Sequence, residues 1–220
     1  MVVERFVAAG ILAYFLGAIP FAYLISKWLA GIDITKCGSG NIGGTNVLRT
    51  LGARAGFLVI VLDITKAVAA VMLAKLIIGD GVLYIAGFPV QWQAGQFIAG
   101  LMAMVGHNWS VYMKFRGGKG VAAYYGSWVA MFPLAAAFGG LITVLTALRT
   151  RYMSLGSILG ALGIVCFSIV LAVAYEFPVA YLVYSLVATA LLIYQHRKNI
   201  SRLQAGTELR LDGKGGGLSL

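Results

Sequence analysis

The chain has 220 residues, 60% of them hydrophobic and only 11% charged, with a net charge of +10. A water-soluble domain carries about 25% charged residues, so this balance excludes a soluble fold. The two cysteines, Cys37 and Cys166, lie far apart, which excludes a disulfide scaffold and offers no metal-ligand spacing.

In chain order, residues 6–26 form the first hydrophobic run, with Gly17 and Pro20 inside it. Both are tolerated in membrane helices whose neighbours re-satisfy the backbone. Runs of similar length follow at 57–79, 95–113, 153–175 and 177–195, which argues against the first being a cleaved signal. Each comes close to the roughly 20 residues that cross about 30 Å of hydrocarbon. The stretch from Val121 to Leu148 has no charged residue, and as a single helix it would be about 42 Å long. Pro133 sits near its middle and breaks a helix there, so two short passes are predicted. The expectation is an all-α integral membrane protein of about seven transmembrane helices, occupying residues 1–208. Residues 209–220, with Gly215-Gly216-Gly217, read as a glycine-rich disordered tail.

The polar connections alternate in charge. One set holds Lys27, Lys36, Arg49 and Arg54, then Lys114, Arg116 and Lys119, then Arg149 and Arg151, then Arg197, Lys198, Arg202, Arg210 and Lys214. The other holds Asp80, Gln91, Gln93 and Glu176. With seven spans every one of those basic residues falls on one face, which the positive-inside rule makes cytoplasmic. The N-terminus is then outside and the C-terminus in the cytoplasm. The positive charge reads as a topology signal, and no nucleic-acid partner is expected.

Three polar segments share that basic face. The first runs from Gly38 to Arg49 and sets Ser39, Asn41, Thr45 and Asn46 among Gly38, Gly40, Gly43 and Gly44. A flexible loop would also be glycine-rich. The density of hydroxyl and amide groups, capped by an arginine, instead suits an oxyanion: glycines let backbone N–H groups converge, and Arg49 can grip phosphate with two parallel bonds. A helix starting near Thr45 would add its positive end. The second segment, from Gly106 to Ala122, holds His107 and then Gly117, Gly118 and Gly120 around Lys119, a cradle opening onto a helix. It lacks the spacing of a Walker A loop. Trp109, Tyr112 and Phe115 read as interface anchors. His107 is open to a structural or a catalytic role. The third, from His196 to Glu208, places His196, Asn199 and Leu203 on one helix face, and by itself would read as a headgroup anchor. Within the second span, Asp63 and Lys66 are three residues apart and can pair, either bracing the site or serving catalysis.

Together the three segments resemble those of the bacterial acyl-phosphate-dependent glycerol-3-phosphate acyltransferase family, whose motifs look like GSGN-x-G-x-TN, GH followed by F-x-GGKGVA, and HR-x-NI-x-RL-x-x-G-x-E. The resemblance covers residues 1–208, with Ser110, Gly44 and Ala123 standing where proline, alanine and threonine are common. It implies seven helices, a site facing the cytoplasm of a bacterial inner membrane, and transfer of a fatty acyl group from acyl phosphate to the 1-hydroxyl of glycerol 3-phosphate. The products would be lysophosphatidic acid and phosphate. Matching residues imply Ser39, His196 and Asn199 as catalytic. They imply Gly38, Gly40, Asn41, Thr45, Asn46, Arg49, His107, Gly117, Gly118, Lys119 and Gly120 as phosphate- and substrate-binding. Acyl phosphate is already activated, so no cofactor, metal or obligate protein partner is expected beyond the two substrates and membrane lipids. The rival reading is a phosphate transporter, but such sites lie near the midplane between internal repeats, whereas these motifs lie at one face.

Overall fold

A computed structural model of the chain describes residues 2–85 and 88–211. The elements follow in the order α1 (Val2–Ala18), α2 (Phe21–Ala30), α3 (Gly44–Leu51), α4 (Ala53–Ile78), β1 (Leu83–Ile85), β2 (Phe88–Val90), α5 (Trp92–Asn108), α6 (Val121–Met131), α7 (Pro133–Thr150), α8 (Met153–Ala174), α9 (Val179–Gln195) and α10 (Arg197–Gln204). The fold is mostly helical. The short antiparallel pair β1–β2, with Leu83 opposite Val90, corrects the all-α expectation. Its aromatic and β-branched residues favour extended backbone in a segment too short for another helical crossing.

Three single helices, α4, α7 and α8, and the α1–α2 pair over Val2–Ala30 are long and apolar enough to cross a bilayer. The pair α9–α10 is bent by 59° and adds a fifth if it counts as one broken span. The other two expected crossings correspond to α5, of 17 residues, and α6, of 11. The break near Pro133 occurs where the sequence suggested it. Helix α6 ends at Met131, and Pro133 opens α7 in the first turn, where its missing N–H leaves no bond unmade.

The first run is not the continuous helix expected over 6–26. Pro20 cannot donate to the helical ladder, so α1 stops at Ala18 and α2 begins at Phe21. The carbonyls freed at the break find distant donors: Ser110 Oγ donates to Ala18 at 2.5 Å and Lys66 Nζ to Ile19 at 2.7 Å. The third run also ends early, at Asn108 rather than 113. With the Ser110 hydroxyl committed to α1, the chain folds back so that the Phe115 N–H reaches the Ser110 carbonyl, and Lys114 and Phe115 take left-handed backbone.

Close helix crossings hold the bundle together. A methyl group at Gly17 would run into the Ala103 backbone, and one at Gly106 into that of Tyr14, so α1 and α5 touch main chain to main chain. The largest buried cluster joins Tyr124 and Trp128 of α6, Tyr184 of α9 and Met104 of α5. On the outside, Leu76 and Val173 stay 76% and 85% exposed, an apolar surface suited to lipid. At the C-terminal end the fold reaches into the expected tail: the Leu209 carbonyl accepts from Arg49, and the Leu211 N–H donates to the Arg151 carbonyl. Residues 212–220 of that tail lie outside the described residues.

Candidate active site

The first glycine loop is organised by one side chain. Asn46, 1% exposed, sits one turn into α3 and faces back into the loop. Its Oδ1 accepts the Ser39 N–H at 2.9 Å, and its Nδ2 donates to the carbonyls of Cys37 (3.0 Å), Asn41 (3.1 Å) and Ile34 (3.3 Å). Gly38 (φ 55°) lies so close to Asn46 Oδ1 that a side chain there would displace it. Gly40 (φ 68°) makes a second left-handed turn. The loop delivers the chain to Gly43, from which α3 starts one residue before the expected Thr45. Thr45 and Arg49, four apart, therefore line the same side of α3.

The second loop leans on His107 at the end of α5. The Gly118 N–H donates to the His107 carbonyl at 3.0 Å, and the His107 ring lies against Gly118 so closely that any side chain on it would strike the ring Nε2. On its other edge, His107 Nδ1 lies 3.6 Å from Asp63 Oδ1. Asp63 also pairs with Lys66 at 2.7 Å, the pair the sequence suggested. Both residues are 5% exposed or less, and such a pair holds together because removing either partner strands a buried charge. The carboxylate thus ties α4 to the His107 ring, and the ring backs the loop. Gly117 accommodates the His107 and Asn108 carbonyls, and Gly120 (φ 80°) turns the chain into α6 at Val121.

The third segment bends at His196, where α9 hands over to α10. His196 Nδ1 lies 2.8 Å from the Leu192 carbonyl. A carbonyl only accepts, so Nδ1 carries the proton and Nε2 is left as an acceptor. Burial pushes the imidazole down to about 4, and the nearby Lys119 adds to the effect, so the ring is neutral at neutral pH. Asn199 bridges a cation and an anion. Lys119 Nζ donates to its Oδ1 at 2.5 Å, and its Nδ2 donates to Glu208 Oε1 at 2.6 Å. The chemistry of the partners fixes this orientation, since an ammonium cannot accept and a carboxylate cannot donate. Glu208, 3% exposed, also accepts from Ser154 (2.8 Å) and Arg202 (2.8 Å). Burial alone would raise its carboxyl, but the bonds from Asn199, Ser154 and Arg202 outweigh that and hold it low.

These segments meet around a cavity of about 290 Å³. Of the expected residues, Ser39, Asn41, Thr45, Asn46, Arg49, His107, Lys119, His196 and Asn199 line it. Gly38, Gly40, Gly117, Gly118 and Gly120 shape the loops behind that lining instead. The first turns of α3 and α6 both border the cavity, and the start of a helix is an environment that suits an anion. Two cations join them. Arg49 spends one nitrogen on the Leu209 carbonyl at 2.8 Å, while its Nε is buried without a partner among the described residues. Lys119 is pushed down to about 8 by burial, with Glu208 working against the shift and Arg202 and Arg49 reinforcing it. Beyond the polar part, Ile60, Ile64, Val121, Ala122, Gly140 and Val144 continue the cavity between α4, α6 and α7.

Sequence reading missed Glu208 as a site residue. The available signal was a lone acid closing a segment rich in Arg and Lys. It also missed Ser154 and the link from Asp63 to His107, neither of which has a local signal.

The fold and site define an α-helical membrane protein with a cavity at the ends of its helices that Arg49 and Lys119 line. A model of the glycerol-3-phosphate acyltransferase family matches residues 7–206. The chain is 42% identical over 214 residues to glycerol-3-phosphate acyltransferase 3 of Dehalococcoides mccartyi, covering 97% of this chain and 99% of that one. It is 42% identical over 201 residues to glycerol-3-phosphate acyltransferase 2 of Moorella thermoacetica, covering 91% and 95%. Among solved structures, it is similar to the glycerol 3-phosphate form of PlsY (YgiH), an integral membrane glycerol 3-phosphate acyltransferase. The TM-score is 0.80 at 38% identity, covering 93% of this chain and 94% of that one. The lysophosphatidic acid form of the same protein gives 0.79. The chain belongs to the glycerol-3-phosphate acyltransferase family.

Proposed function

We propose that the protein acylates the 1-hydroxyl of glycerol 3-phosphate with the acyl group of an acyl phosphate, releasing lysophosphatidic acid and phosphate. The observation that carries this reading is the junction inside one cavity. Arg49, Lys119 and two helix starts gather where phosphates would sit, and an apolar extension leads away between α4, α6 and α7. Two substrates that both carry phosphate repel one another, and this concentration of positive charge offsets the repulsion.

The hydroxyl of glycerol 3-phosphate attacks the acyl carbon, a tetrahedral centre forms, and the bond from that carbon to the phosphate oxygen breaks. The departing phosphate takes the hydroxyl proton. His196 Nε2 accepts a hydrogen bond from the attacking hydroxyl and aligns it, and the Ser39 hydroxyl contacts the phosphate beside it. Asn199 has both ends of its amide occupied, so its part is to position Lys119 and keep Glu208 from neutralising that cation directly. Asn46 likewise acts through the loop it shapes. Holding both reactants aligned removes much of the entropic barrier without an acyl-enzyme. No metal or organic cofactor enters this scheme, and no protein partner is required.

The one-sided basic residues support a site on the cytoplasmic face of a bacterial inner membrane, in a seven-span chain whose N-terminus is outside. Residues 1–208 carry the catalytic motifs, and the start of the tail that follows, Leu209 and Leu211, is held against Arg49 and Arg151. The test is direct. Purified protein with palmitoyl phosphate and labelled glycerol 3-phosphate should yield labelled lysophosphatidic acid, and no product in active-site-intact protein refutes the reading. Labelled acyl phosphate added alone should leave no acyl group on Ser39 or Cys37. Stoichiometric label that chases into product would replace direct attack with a covalent route.

A further inference from the structure

Glycine is a poor helix former compared with alanine, and most helical glycines of this fold have a packing reason for being there. On α7 and α8, a side chain at Gly139 would strike Ile164, one at Gly156 the Thr143 carbonyl, one at Gly160 Thr143 and Tyr125, and one at Gly163 Ile142. Gly140 is different. A methyl group built on it meets nothing within 4 Å. The other described glycines with such empty surroundings, Gly31, Gly52, Gly79 and Gly206, all have left-handed backbone that a side chain would strain. Gly140 lies eight residues into α7 with no such need. Neither packing nor backbone conformation accounts for its missing side chain.

The space in front of Gly140 is the cavity. Gly140, Thr143 and Val144 form the face of α7 that lines it, and Gly140 is the one farthest from the Arg149 end of that helix, about 6 Å beyond Val144. Ile60 and Ile64 of α4 also line this part, as do Val121, Ala122 and Tyr125 of α6. The polar groups in this wall are satisfied among themselves. Thr143 gives its proton to the Gly156 carbonyl at 3.1 Å, so Tyr125 donates to Thr143 at 2.7 Å and presents no free donor to a ligand. Val144 is 53% exposed, so the extension opens sideways toward lipid at its level.

Building on the acyltransferase reading, we propose that Gly140 determines which acyl chains the enzyme accepts, because its absent side chain leaves the room through which the chain runs along α7. A side chain placed there narrows that path for donors long enough to reach it and not for donors that end before it. Each methylene denied an apolar seat costs about 0.8 kcal/mol, which is about fourfold in kcat/KM.

The experiment compares wild type, Gly140→Ala and Gly140→Leu on acyl phosphates from butyryl to palmitoyl, read as kcat/KM for palmitoyl phosphate divided by that for the shortest donor the wild type uses. Gly140→Leu should lower this ratio at least tenfold, with the break in the series marking the chain length that reaches α7. Gly140→Ala adds one methyl into open space and favours the helix, so it stands in if the leucine variant fails to fold; its ratio should fall about fourfold. Unchanged ratios in both variants, whether or not overall activity drops, overturn the inference and leave the acyltransferase reading intact. A wild type that uses none of the donors overturns that reading, and the inference with it.

Discussion

Replacing Asn46 by aspartate changes one nitrogen for an oxygen and keeps the shape of the side chain, so its consequences isolate the hydrogen bonds that form the first loop. The carboxylate would keep the Ser39 N–H, now at 2.9 Å. The carbonyls of Ile34, Cys37 and Asn41 would instead face an oxygen with nothing to donate. At about 1 kcal/mol net per lost hydrogen bond, the loop loses about 3 kcal/mol before any repulsion. That is on the order of a hundredfold in the balance between formed and open loop. The largest buried cluster of the bundle contains no residue of this loop, so helical content should hold while KM for glycerol 3-phosphate rises at least tenfold. The defect should also depend on pH. Carbonyl oxygens around a carboxyl raise its pKa above the unfolded value, so loop stability is regained as pH falls and lost as pH rises through the raised value. Steady-state assays of detergent-purified Asn46→Asp at two pH values suffice. A KM within twofold of wild type, with unchanged thermal stability, would refute the assignment of Asn46 as the organiser of the loop.

Lys119, pushed down to about 8 by burial, loses its charge as pH rises through that value. The kcat/KM for glycerol 3-phosphate should fall over the same range, and Lys119→Arg should move the fall to higher pH. A flat wild-type profile there sinks the idea. The same depressed value means the folded chain binds fewer protons than the unfolded one between about 8 and 10.5, so fold stability should rise with pH across that window while affinity declines. Lys66→Met strands the Asp63 carboxylate in the interior and should cost about 3–5 kcal/mol in detergent unfolding. Adding Asp63→Asn should restore part of it, and strictly additive effects would show that the two residues do not pair. For topology, single cysteines at Asp80 and Glu176, in a chain lacking Cys37 and Cys166, should react with an impermeant reagent outside intact cells. One at Lys119 should react only after permeabilisation, and reaction of all three from one side overturns the proposed orientation.

Hydropathy and charge along the chain were enough to establish a membrane protein, the break at Pro133 and three polar segments rich in glycine, hydroxyl, amide and cationic groups. These features are local: the length of an apolar run, the fixed φ of proline and the permissive backbone of glycine act within a few residues. The residue types that suit phosphate were legible for the same reason, and the three segments do meet in one cavity. What each side chain does there was not legible. Asn46 and Asn199 look like substrate ligands in sequence, yet one spends its amide on the loop's own carbonyls and the other lies between Lys119 and Glu208, with 80 residues separating Asn199 from Lys119. Pro20 looked tolerable inside one helix. It ends α1 because it cannot donate to the ladder, and the break is met by Lys66, 47 residues from the Ile19 carbonyl it reaches, and Ser110, 92 residues from that of Ala18. Hydrogen-bond accounting closes only once helices are packed, since a buried donor must find its acceptor wherever the fold brings one. Gly140 belongs with these. In sequence it is one glycine among 29, and only the empty space beside it, bordered by α4 and α6, distinguishes it from the neighbouring Gly139 that α8 packs against.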